Sequence, residues 1–364
     1  MAVPHWRKAG TAEIPPAAAA AEASSATAWS SLINGGKAAV RPVGISVSCA
    51  KRERKGIVMK KIPLGAEELP VPAVAVGCMR IAEMEKAALD RHLLHCVEQG
   101  LNFFDHADIY GGGACEEAFA ASVRRTGLRR EDLFLQSKCG IRKGMYDFSK
   151  DYILSAVDGI LKRLNTDYLD LLLLHRPDAL MEPEEVAEAF DTLASGGKVR
   201  RFGVSNHRPS QMELLKSCVR QPLCVNQLQF SIPASGMISG GLEVNMETPG
   251  GADRDGGVLD YCRLHRITVQ TWSPFQYGFF QGSFVGNRER FGELNRVMEE
   301  LGEKYGATPT GIAAAWILRH PANMQLVAGT TRDARLDEIV RGSRIRLERA
   351  DWYRLYLAAG HILP

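Results

Sequence analysis

From residue 59 onward the chain alternates between short apolar runs and stretches whose apolar positions recur every three to four residues. The runs predict strands over residues 73–79, 102–105, 133–138, 168–174, 199–204, 223–230, 267–272 and 325–328. The fourth is almost wholly apolar, as a strand covered on both faces requires. Helical spacing fills the gaps, over 83–99, 115–126, 149–164, 183–194, 209–217, 259–264, 294–305 and 309–319, and returns at 334–340. Within 149–164, for example, Ile153, Val157, Ile160 and Leu161 share one face. Gly100 and Gly127 stand where a glycine commonly closes a helix, and Pro183 with its following acids suits a first turn. A hairpin is expected from 61–64 and 69–72, confined to an edge by Pro63, Pro70 and Pro72. Residues 231–257 hold seven glycines and no period, so an irregular loop on the substrate side is expected.

Strand–helix alternation implies a parallel sheet, and eight repeats imply that it closes. An open doubly wound sheet would want Gly-x-Gly-x-x-Gly after its first strand. Gly77-Cys78-Met79-Arg80 does not supply it. The expected fold is therefore α/β, a (β/α)8 TIM barrel over residues 59–364 with an N-terminal β-hairpin. Residues 1–58 differ in character, with an alanine run at 17–21, a Ser/Ala/Thr patch and no helical face. A disordered N-terminal extension is expected there. Two readings of it stand. It is an organellar transit segment, being basic, Ser-rich and poor in acids. Or it is not native and Met59 is the true start, because Lys51-Arg52-Glu53-Arg54-Lys55-Gly56 can be encoded by purines where a ribosome-binding sequence would lie. The second is preferred.

Charge sharpens this division. The net charge of +3 comes from 45 basic and 42 acidic residues. Residues 1–58 hold eight of the former and three of the latter, leaving 37 and 39 for the body. Such a body has no basic face suited to nucleic acid. No apolar run approaches the roughly 20 residues a membrane span needs. The eight cysteines form no C-x-x-C pair, so neither a zinc site nor a thioredoxin motif is indicated. A reducing, cytoplasmic setting fits, with an organelle as the alternative if 1–58 is a transit segment.

In a (β/α)8 barrel the site gathers at the C-terminal ends of the strands. The second strand there runs into Asp105-His106-Ala107-Asp108-Ile109-Tyr110 and then glycines. The third ends in Lys138, the fourth in His175-Arg176-Pro177, the fifth in Ser205-Asn206-His207. The sixth carries Asn226-Gln227 and the seventh ends in Trp272-Ser273-Pro274. Each alone has a plain structural explanation, such as a solvated lysine or a core histidine; together they converge on one rim. Their chemistry is coherent. A lysine beside a tyrosine stabilises the phenolate and is expected to lower the phenol's pKa, making Tyr110 a general acid. Asp105 would hold Lys138 charged. His175 can donate to a substrate carbonyl, whose oxygen gains charge as hydride adds. The hydride must come from a cofactor.

This constellation resembles the aldo-keto reductase family. Asp105 to Gly111 is similar to its Asp-Thr-Ala-x-x-Tyr-Gly stretch, with His106 in place of threonine. The resemblance runs collinearly over roughly residues 59–350. It implies that Asp105, Tyr110, Lys138 and His175 are catalytic and that NADPH, or NADH, is the cofactor. It implies that Ser205, Asn206 and Gln227 hold the nicotinamide carboxamide, and that Trp272, in the aromatic-Ser-Pro motif with Ser273 and Pro274, stacks on the ring. Gly329-Thr330-Thr331-Arg332-Asp333-Ala334-Arg335 resembles the shorter form of the family's phosphate segment. Thr330 and Thr331 could donate at a helix N-terminus, and Arg332 and Arg335 could pair a 2′-phosphate. The competing account has Arg335 paired with Asp337 or Glu338. The implied activity is reduction of a small-molecule aldehyde or ketone, with no metal and no evident oligomeric partner. Two alternatives stand beside it: a cofactor-sensing regulatory subunit like the β subunits of potassium channels, and a barrel isomerase or aldolase using Lys138 as a Schiff base. The last is disfavoured because an acid is placed to keep Lys138 charged.

Overall fold

A computed structural model describes residues 59–364; the expectations for 1–58 lie outside it. Its elements are, in chain order, β1 (Lys61–Leu64), β2 (Leu69–Pro72), β3 (Val74–Gly77), α1 (Lys86–Glu98), β4 (Phe103–Asp105), α2 (Ala114–Thr126), β5 (Phe134–Cys139), β6 (Ile141–Arg142), β7 (Met145–Tyr146), α3 (Lys150–Leu164), β8 (Leu171–Leu174) and α4 (Pro183–Ser195). Then follow β9 (Phe202–Ser205), α5 (Pro209–Lys216), β10 (Leu223–Gln229), α6 (Gly236–Leu242), α7 (Val258–Leu264), β11 (Thr268–Trp272), α8 (Arg288–Tyr305), α9 (Pro309–Arg319), β12 (Met324–Ala328), α10 (Asp333–Gly342) and α11 (Arg349–Ala358). Eight parallel strands close a barrel in the order β3-β4-β5-β8-β9-β10-β11-β12. The expected (β/α)8 architecture is the one observed.

The hairpin β1–β2 forms with Pro63 opposite Pro70. Paired prolines work here because a two-stranded edge does not need their missing N–H groups. It crosses the N-terminal end of the barrel. The Gly65 N–H donates to Thr268 Oγ1 at 2.9 Å, and Gln325 Nε2 donates to the Pro72 carbonyl at 2.7 Å.

Two layers of core result from the period-2 alternation of the strands. Outward-facing apolar residues meet the helices: Phe190 of α4 stacks on Phe202 of β9 at 4.0 Å. Facing inward are side chains that are buried and polar, Gln136, Lys138, Gln227, Gln270 and Gln325 among them.

Three stretches differ from the sequence pattern. Residues 231–257 are not wholly irregular but contain α6, about two turns with Ile238 and Ser239 buried. Ser239 Oγ and the Tyr356 hydroxyl share a hydrogen bond of 2.8 Å, a tertiary anchor with no periodic signal. The hairpin β6–β7 is too short to show a pattern. Helix α11 is held by Trp352, which stacks on Trp316 at 4.8 Å while each indole N–H donates to the other residue's carbonyl at 3.0 Å.

Helices α9 and α10 touch through Gly311 and Gly342. A Cβ on Gly342 would lie 2.3 Å from the Gly311 carbonyl oxygen and 2.6 Å from its Cα. Neither backbone can yield without parting the helices, so Gly342→Ala is expected to cost about 1–3 kcal/mol, read as a lower midpoint in urea unfolding.

Candidate active site

The C-terminal ends of the barrel strands surround a cavity of about 1150 Å³. Asp105 ends β4, and its neighbour in the next strand is Gln136. Two residues on, and so on the same face, is Lys138. Both point into the barrel, whereas Ser137 points out and donates to buried Glu116 at 2.8 Å. After β4 the chain turns through Tyr110 and the glycines 111–113, all three with positive φ. At Gly113 this is obligatory twice over, because a Cβ would also meet Arg163 Cδ at 2.6 Å. The turn folds Tyr110 back so that Lys138 Nζ donates to its hydroxyl at 3.1 Å. Lys138 also donates to the His106 carbonyl at 2.7 Å and pairs with Asp105 Oδ1 at 2.7 Å. His175 sits beside Tyr110 with the rings edge to face, centroids 6.3 Å apart. Sequence-predicted Asp105, Tyr110, Lys138 and His175 are therefore brought together.

Asp105 has three donors. Besides Lys138, it accepts from Gln136 Nε2 and from Gln227 Nε2 at 3.1 Å. The chain of amides continues across the barrel: Gln136 and Gln270 exchange two hydrogen bonds, and Gln270 Nε2 donates to Gln325 Oε1 at 2.8 Å. Gln136, Gln270 and Gln325 were not among the expected site residues. The signal was present in the two-residue spacing of Gln136 from Lys138 and of Gln270 from Trp272.

The electrostatics follow from this packing. Burial alone pulls the Lys138 ammonium down, but Asp105 and Tyr110 outweigh it and hold the group above its ordinary range. For Tyr110 the balance runs the other way and corrects the expectation. Burial pushes the phenol up, Lys138 pulls it down, and Asp105 cancels part of that pull. The net shift is upward, because burial is the largest effect and the nearest cation comes with its own anion. Burial first, then Lys138 and Arg176, drives His175 well below its ordinary range, so its imidazole is neutral. His175 Nδ1 is buried without a partner. His106 is fully buried against the edge of Phe119 and pushed to about 3 by burial. Asp108, which accepts from the Tyr152 hydroxyl at 3.2 Å, is raised to about 6 by burial. Both serve packing.

The remaining predicted residues line the same cavity. Ser205 Oγ donates to the Gln227 carbonyl at 2.9 Å and accepts from Asn206 Nδ2 at 2.7 Å. Trp272 Nε1 donates to Asn206 Oδ1 at 3.0 Å, and Ser273 Oγ to Gln276 Oε1 at 2.8 Å. Asn206 (φ 62°) and Ser273 (φ 51°) both hold left-handed backbone, a conformation kept where the surroundings demand it. His207 turns away into the core, stacking on Phe148. Gly329, Thr330, Thr331, Arg332 and Arg335 form the wall between β12 and α10. Asp337 takes His95 at 2.8 Å instead of Arg335. Arg80, whose guanidinium donates to the Gly329 carbonyl at 3.1 Å, joins this wall and was not anticipated.

A sequence profile described as the Aldo/keto reductase family matches residues 73–356. The chain belongs to the aldo/keto reductase family. Relatives 30–34% identical to it carry oxidoreductase or reductase names. It is 34% identical to an uncharacterised oxidoreductase, YcsN, of Bacillus subtilis over 84% of this chain and all of that protein. It is 30% identical to a 6-dehydroglucose reductase of Agrobacterium fabrum over 83% of this chain and 98% of that one. A crystal structure of an aldo/keto reductase from Klebsiella pneumoniae, in complex with NADP and acetate, superposes with a TM-score of 0.62 at 25% identity, covering 82% of this chain and 94% of the other.

Lys138→Met should leave the Asp105 carboxylate buried and uncompensated. A stability loss of about 3–5 kcal/mol is expected in urea unfolding. Adding Asp105→Asn should recover part of it, so that the double variant loses less than the sum of the singles.

Proposed function

We propose that this aldo/keto reductase uses NADPH to reduce aldehydes or ketones to alcohols, with Tyr110 as general acid. The observation that carries the reading is the buried chain Asp105–Lys138–Tyr110 ending at the cavity beside a neutral His175. The nicotinamide supplies the hydride when bound. The donor set suits such a cofactor. Polar groups of Ser205, Asn206 and Gln227 lie together for a carboxamide, and the Trp272 ring lies next to them. Arg80, Arg332 and Arg335, none of them in an ion pair among the described residues, face the cavity near the start of α10, where an anion is favoured. Two of these flanking a 2′-phosphate favour NADPH over NADH.

His175, protonated at one nitrogen, donates to the carbonyl oxygen and fixes its direction. Tyr110 gives its proton to that oxygen as negative charge arrives there. The phenolate left behind lies against the Lys138 ammonium, which stabilises it until solvent returns the proton. At neutral pH the phenol is protonated and ready to donate; its raised pKa makes it a weaker acid, and the Lys138 ammonium offsets this by stabilising the phenolate as it forms.

Two outcomes test the reading. Following NADPH absorbance with aromatic aldehydes and diketones, Tyr110→Phe is expected to lose about 10²–10⁴ in kcat. Undiminished turnover in that variant would remove Tyr110 from the mechanism. A general acid works only while protonated, and burial raises Tyr110, so kcat should stay level through neutral pH and fall only at a pH above the ordinary phenol range. Separately, the double variant Arg332→Leu/Arg335→Leu should raise the KM for NADPH by about 10-fold or more while moving that for NADH only slightly. Equal rises for both cofactors would place the arginines elsewhere than on a 2′-phosphate.

A further inference from the structure

The cavity wall carries a charge that hydride transfer does not use. Arg176 follows His175 directly beyond β8 and lines the cavity. It is half-buried, and its side chain enters no ion pair and no hydrogen bond among the described residues. Several other buried or half-buried cations of this barrel have carboxylates, Lys138 with Asp105, Arg163 with Glu116 and Arg130 with Asp170, while Arg319 donates to the Leu347 carbonyl. Arg176 lies instead against two aromatic faces, its Cζ 5.6 Å from the Trp272 ring and 6.0 Å from the Phe279 ring. Rings hold a guanidinium in place while leaving its N–H edge free.

The phosphate wall does not claim this group. In the closed strand order β8 stands opposite β12, and Arg332 and Arg335 follow β12 while Arg80 follows β3 beside it. The cavity thus has guanidinium groups on two opposing sides. Those near α10 suit the cofactor; Arg176 stands next to His175, on the side where the carbonyl compound would lie. The same cavity is lined by the apolar surfaces of Ile141, Tyr146, Phe279 and Phe280. A guanidinium that is partly withdrawn from water, and has no anion of its own, is stabilised when a ligand brings one.

We propose that Arg176 receives a carboxylate on the substrate, so that this reductase prefers aldehydes or ketones bearing an acid group remote from the reacting carbonyl. The inference rests on the reductase reading above. It requires an apolar or aromatic spacer between the two groups, matching the aromatic lining of the cavity.

The test compares 4-carboxybenzaldehyde with methyl 4-formylbenzoate, its uncharged ester, under saturating NADPH. For the unmodified protein the acid-to-ester ratio of kcat/KM is expected to exceed about 10, the effect of a charge-assisted hydrogen bond worth at least about 1.4 kcal/mol. In Arg176→Met the ratio should fall to about one, through the KM of the acid. Arg176→Lys should retain part of it. A ratio near one in the unmodified protein, or a ratio that Arg176→Met leaves alone, overturns the assignment. So does a rise in the KM for NADPH that accounts for the loss, because Arg176 would then serve the cofactor. Failure of the unmodified protein to reduce either compound would instead remove the reductase reading. Quenching of tryptophan fluorescence by 4-carboxybenzaldehyde reads the site without turnover, and quenching that survives in Arg176→Met overturns the proposal.

Discussion

A lysine ammonium with no exposed surface needs an anion, and Lys138 has Asp105 at 2.7 Å. The pair is expensive to bury and is tolerable only because its remaining hydrogen-bonding capacity is met. Gln136 and Gln227 donate to the carboxylate; the His106 carbonyl and the Tyr110 hydroxyl accept from the ammonium. Each of these satisfies the pair and is fixed by it in return. The barrel interior, which such folds commonly fill with branched aliphatic side chains, is here given over to amides that carry the same network to β12. Tyr110 therefore does not sit in a loop free to wander. Its hydroxyl is tied to the most constrained charge in the molecule.

That arrangement also explains why the phenol stays protonated. A lone ammonium at 3.1 Å would draw the phenol toward ionisation. An ammonium already matched by a carboxylate exerts a much smaller net field, and burial then decides the direction. The sequence shows lysine and tyrosine as neighbours; it does not show which of two opposing effects is larger. The expected lowering was wrong for this reason.

Much of the rest was legible. Short apolar runs marked every barrel strand and helical spacing marked most helices, because those signals are made by burial itself. The polar residues at strand ends were recognisable since the fold puts strand ends at one mouth. Elements that depend on particular tertiary contacts were not legible. Helix α6 hangs on Ser239 and Tyr356, and α11 on the face-to-face Trp316 and Trp352, none of which makes a local pattern. The inward glutamines looked like ordinary polar residues until their partners across the barrel were known. Arg176 stood within a quoted motif, but its lack of a counter-ion is a property of the folded surroundings. The glycines after Tyr110 were visible as a run, but not that Arg163 packs against the position a Cβ on Gly113 would take.

The hairpin at the N-terminal end has a bearing on traffic. Its backbone is tied by Gly65 to Thr268 and by Pro72 to Gln325, so it lies across the bottom of the barrel like a floor. Above that floor the interior is filled by amides and by the ion pair. A barrel stopped in this way has one doorway. Whatever enters the cavity must leave by the side it came in. That restriction is imposed by the eight strand residues of the β-hairpin, at the end of the barrel opposite the cavity.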